Sequence, residues 1–61
     1  MDFDSLSKLT SEIMAQGYNE KTASDYAVLI GDTPCVNEAG QILVFENGKE
    51  IARLKPLKFF S

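Results

Sequence analysis

Nothing in this chain limits its folding as tightly as Asn47-Gly48. The dipeptide separates two runs of period-two character, residues 41–46 (QILVFE) and 49–54 (KEIARL). Asn-Gly is favoured in a two-residue hairpin loop because both central residues of a type I′ turn need positive φ. A loop of that length also sets the register. Glu46 then stands opposite Lys49, Val44 opposite Ile51 and Ile42 opposite Arg53. On the other face Phe45 meets Glu50, Leu43 meets Ala52 and Gln41 meets Leu54. The first strand is apolar on both faces, Ile42 and Val44 on one and Leu43 and Phe45 on the other. A small antiparallel sheet with one wet face should alternate apolar and polar residues, so this strand asks for two covers.

One cover is predicted upstream. Residues about 4–16 carry Leu6, Leu9 and Ile13 at helical spacing with Met14 beside them; Asp4 or Ser5 serves as cap, Phe3 packs back as a staple and Gly17 ends the helix. Residues about 20–30 form a second helix behind the cap Asn19. Its apolar stripe is Ala23, Tyr26, Ala27 and Ile30, Gly31 stops it and Pro34 prevents resumption. The short link between the helices predicts an antiparallel hairpin. With a first strand at about 35–36, the expected fold class is α+β: an N-terminal helical hairpin packed on a three-stranded antiparallel β-meander, in the order ααβββ, as a single small domain over 1–61. A basic apolar tail, 55–61, completes it.

That tail raises the second question. Residues 53–60 read RLKPLKFF, in a chain whose net charge is -3. Residues 1–46 hold eight acids and two bases; residues 47–61 hold one acid and four bases. Leu57, Phe59 and Phe60 are the expected second cover of the sheet, with Arg53, Lys55 and Lys58 left in water. Alternatively these six residues form a contact with a partner protein or a second copy. Two further readings are a single-stranded nucleic-acid contact, aromatic rings stacking on bases, and a membrane-surface anchor, for which the segment is short. Pro56 removes a backbone donor, so strand pairing should end near Leu54 or Lys55.

Size sharpens the matter. A chain of 61 residues buries only about 60% of the surface its unfolded form exposes. Cys35 is the one cysteine and there is no histidine, so neither an internal disulfide nor a zinc site is available to reinforce the core. An unpaired cysteine fits a reducing compartment. The first residues, with Asp2 and Asp4, lack the basic start of a signal peptide. The longest apolar runs, 26–30 and 42–45, fall far short of the about 18 residues that span a bilayer. The expected localisation is cytoplasmic, with no membrane partner.

Chemistry is sparse. Without histidine the commonest general base is missing, and Cys35 has no base beside it in sequence to make it a thiolate nucleophile. The carboxylates are scattered over turns and helix surfaces. Residues 30–34, IGDTP, resemble the GDxP-type metal-binding loop of haloacid-dehalogenase-like phosphatases over five residues. That family also needs an Asp-x-Asp pair at a strand end, and Asp2-Phe3-Asp4 lacks the preceding apolar strand, so the segment reads as a helix end followed by a turn. No catalytic residue, cofactor or metal site is expected, and the chain is not expected to be an enzyme.

The function favoured by these residues is that of a small non-enzymatic cytosolic binding or accessory protein acting through protein–protein contact, with a homodimer as one form. The alternative is a small nucleic-acid-binding regulator of winged-helix type, suggested by residues 17–32 (GYNEKTASDYAVLIGD) ahead of the hairpin. It would touch nucleic acid through the basic hairpin and tail, since Glu20 and Asp25 on the second helix repel phosphate. The candidate partner-binding residues are Arg53, Lys55, Leu57, Lys58, Phe59 and Phe60.

Overall fold

A computed structural model describes residues 2–60. Helix α1 spans Phe3–Met14 and helix α2 spans Glu20–Asp32. Strands β1 (Ile42–Glu46) and β2 (Lys49–Leu54) follow, and a single 3-10 turn, Lys58–Phe60, closes the described chain. Ser61, the last residue of the expected tail, lies outside the described residues.

Both helices begin on a side-chain cap that satisfies an orphan N–H of the first turn. Asp2 accepts from the Ser5 N–H at 2.7 Å and Asn19 accepts from the Thr22 N–H at 2.8 Å. The Ser5 bond favours the ionised form of Asp2 and holds its carboxyl below the usual aspartate value. The cap of α1 thus lies two or three residues earlier than expected, and Phe3 becomes an exposed first-turn residue, 84% accessible, rather than a staple. Helix α2 runs through Gly31 to Asp32 and ends at Thr33, whose N–H donates to the Leu29 carbonyl; Pro34, rather than Gly31, marks the stop.

The sheet corrects the expected three-stranded meander. It has two strands, β1 and β2, and the segment at 35–36 contributes only an isolated antiparallel bridge, Val36 with Ile42. Two bonds flank that bridge, from the Leu43 N–H to the Cys35 carbonyl (2.9 Å) and from the Asn37 N–H to the Gln41 carbonyl (3.1 Å). On one side Pro34 has no N–H to continue the ladder. On the other, Asn37 curls the chain: its Oδ1 accepts from the N–H groups of Ala39 and Gln41, both at 3.0 Å. An Asn side chain that satisfies its own neighbours' backbone competes directly with strand pairing.

The hairpin corrects the register as well. Asn47 (φ 54°) and Gly48 (φ 76°) form the expected two-residue turn, and Glu46 faces Lys49. Beyond Phe45 and Glu50 the ladder slips: Val44 pairs with Ala52, Leu43 with Arg53 and Ile42 with Leu54. Ile51 is therefore the extra residue of a β-bulge. Side-chain burial explains it. The unbroken register would set Arg53 across from Ile42 on the core face and turn Leu54 outward; one inserted residue exchanges them. Leu54 is 1% exposed in consequence, and Ala52 packs against the same core.

That core is one cluster. Leu9 and Ile13 of α1, Ala23, Ala27 and Ile30 of α2, and Ile42, Val44 and Leu54 of the sheet's inner face are all buried, and Leu57 from the tail joins them. The tail therefore does not cover the sheet's outer face. There Leu43 and Phe45 are half-buried, and their cross-strand neighbours are Arg53 and Glu50. Arg53 donates to both carboxylate oxygens of Glu50, from Nε at 3.3 Å and Nη2 at 3.1 Å. These two residues, and not the tail, are the cross-strand neighbours of the two apolar side chains on this face.

Candidate functional site

The six residues expected to meet a partner separate into different roles. Leu57 is 5% exposed and belongs to the core, and Phe60 packs against that core. Arg53 is engaged with Glu50 on the outer sheet face. The backbone of Lys55 is held on both sides by Gln16, in the turn that follows α1: the Lys55 N–H donates to Gln16 Oε1 and the Lys55 carbonyl accepts from Nε2, each at 3.0 Å. The Glu12 carboxylate, on α1, accepts from the N–H groups of Lys58 (2.6 Å) and Phe59 (3.0 Å). Glu12 thus caps the 3-10 turn from a distant element, satisfying donors that open the turn. Phe59 is 36% exposed and meets Phe60 edge to face, ring centroids 5.3 Å apart. What the tail leaves at the surface is Pro56, Phe59 and the side chains of Lys55 and Lys58. It is chiefly a docked element of the fold.

A second group of exposed apolar side chains lies across the outward side of α2. Val28 is 53% exposed and Ile51 43%. Together with half-buried Leu29 and Tyr26 they line a shallow hollow between α2 and the hairpin, bounded by Asp25 and Glu46. A second hollow on the other side of Val28 and Leu29 reaches Leu6 of α1 and ends at Asp32. A third runs between the two helices from Phe3 past Leu6 to Met14, with Glu20, Lys21 and Asp25 along it. Shared residues join the three: Leu6, Asp25, Val28 and Leu29 each line two of them. The result is one apolar strip, Leu6 to Val28 to Ile51, crossing α2 within an acidic rim. Lys21, the one basic residue along it, sits 3.5 Å from Asp25 as an exposed i,i+4 pair.

The helical stripe Ala23, Tyr26, Ala27 and Ile30 accounts for the inner face of α2 and says nothing of Val28. Its signal was present nonetheless: the run YAVLI (26–30) holds more apolar residues than one helix face can bury. Ile51 read differently: the unbroken register set it opposite Val44 on the core face, and the bulge leaves it at the surface beside α2 instead.

Cys35 is half-buried. Among the described residues, no three His, Cys, Asp or Glu side chains gather closely enough to hold a metal ion, and no helix is long and apolar enough to cross a membrane. Compared with protein families, curated proteins and solved structures, the chain matches none.

Proposed function

We propose that this is a non-enzymatic binding protein of the cytoplasm, acting through contact with another protein. The observation that carries the reading is the acid-rimmed apolar strip across α2. Val28 and Ile51 leave about half of their surface in water and line one hollow together, whereas the comparably exposed Val36 lines none of the three. A contiguous apolar patch with a polar border is the usual surface form of a protein contact. The non-enzymatic part rests on the lack of histidine and on Cys35 having no base beside it in sequence. The outward side of α2 carries Glu20, Asp25 and Asp32 against Lys21, which favours a protein over nucleic acid as its partner.

Two measurements test the reading together. Sedimentation over a dilution series of the purified chain reports self-association. Recovery of bound proteins from the organism that makes the chain, with the native sequence and with Val28→Asp in parallel, reports other partners. A mass that rises with concentration and returns to monomer in Val28→Asp, or a protein captured by the native chain alone, supports it. A constant monomer mass with no capture that depends on Val28 contradicts it.

A further inference from the structure

The chemistry of the strip specifies its occupant further, on the footing of the protein-contact reading above. We propose that it takes a short amphipathic segment of a partner protein in which one or more large apolar side chains are flanked by lysine or arginine. The centre of the site is aliphatic, Val28 and Leu29 of α2 with Ile51 of the hairpin, and an apolar anchor is what such a surface desolvates favourably. Its border is anionic, with Asp25 and Glu46 on the hairpin side and Asp32 at the end of α2. Lys21 offsets part of Asp25, and Lys49 stands across the hairpin from Glu46, yet the lining residues remain net acidic.

Charge then discriminates among occupants. A two-fold contact between copies would lay this same acidic border against itself, and facing like charges is costly. The basic tail of a second copy has the right charge, but Leu57 is held in its own core and only Phe59 is left as an anchor. A nucleic acid or an anionic membrane would be repelled. A basic amphipathic segment satisfies centre and border at once, in the manner of helix-in-groove recognition. A helix of 14 residues is about 21 Å long, a length this molecule of 25 × 24 × 22 Å can accommodate.

The test is a titration of the full chain, followed by amide and methyl chemical shifts. The probe is a synthetic 14-residue peptide with leucine on one helical face and lysine on the other. Controls are a peptide of the same composition in scrambled order and one with every lysine replaced by glutamate. The expected result is saturable binding of the leucine–lysine peptide, with shifts confined to Leu6 and residues 25–32 and 46–51. Val28→Asp and the pair Asp25→Lys with Glu46→Lys should each weaken it at least tenfold. The charge-reversed pair should instead gain affinity for the leucine–glutamate peptide. Val28→Ser serves should Val28→Asp lose its dispersed spectrum. Shifts spread over other acidic positions, equal affinity for the scrambled peptide, indifference to the Val28 variants, or concentration-dependent shifts at 55–60 showing tail-mediated self-association would each overturn the proposal. A failed titration alongside a Val28-dependent partner from the host would sink the occupant's chemistry and leave the protein-contact reading standing. Failure of both would sink both.

Discussion

At the scale of single residues, two positions carry conformations or contacts that substitution should expose cleanly. Gly48 has φ 76° and open space around the position of a Cβ, so strain there comes from the backbone alone. Gly40 has φ 82°, and an added Cβ would meet Pro56 Cγ at 3.5 Å, an ordinary contact. Alanine in this left-handed region costs about 1–2 kcal/mol, and a β-branched residue costs more, about 2–3 kcal/mol. Gly48→Val should therefore lower the melting temperature clearly more than Gly40→Ala; equal melting would show that the turn is not type I′. Glu12 is the second position. Its carboxylate holds two backbone donors of the tail, and hydrogen bonds to a charged group contribute about 1.5–3 kcal/mol each when buried, less when wet. Glu12→Ala should cost about 1–2 kcal/mol in all and speed amide exchange at Lys58 and Phe59. Unchanged exchange at those two amides would remove Glu12 from its capping role.

At the scale of elements, the local signals in the sequence were the legible ones. Asn19, the 3.6-residue stripe of α2 and Asn47-Gly48 each act within a few neighbouring residues, and the structure has the helical pair and the hairpin turn they imply. What was not legible depends on pairing at a distance. The bulge at Ile51 answers to which of Arg53 and Leu54 can be buried under α2, a fact of the whole core. The stub at Val36 is the exception, a local effect: Asn37 stands just after the strand expected at 35–36, and its side chain bonds the Ala39 and Gln41 N–H groups and so limits that pairing to one bridge. The tail's docking answers to Glu12, 46 positions before Lys58. In consequence the residues expected to form a contact surface divide unequally, and a direct comparison follows. Leu57→Ala removes a core side chain and should cost about 2–4 kcal/mol, enough to unfold much of a population whose total stability is about 3–5 kcal/mol. Phe59→Ala, at a half-wet site, should cost less than about 1 kcal/mol. A reversed order in chemical denaturation would return the tail to the role of a partner-binding segment.

At the scale of the whole molecule, a chain this small gains its core by enlisting every element, the last turn included, and two of the aliphatic side chains it leaves open, Val28 and Ile51, lie together beside α2. The same bulge that brings Leu54 inside leaves Ile51 beside Val28 at the surface, so core and candidate contact arise from one slip of register. The most direct check is a map of solvent access in the purified monomer by a soluble paramagnetic probe, read at the methyl groups. Strong relaxation of Val28 and Ile51, with Leu54 and Leu57 protected as well as Leu9 and Ile13, is the predicted pattern. Protection of Val28 and Ile51 together with strong relaxation of Leu54 and Leu57 would contradict it, placing the tail outside, the hairpin in its unbulged register and the strip on α2 within the fold.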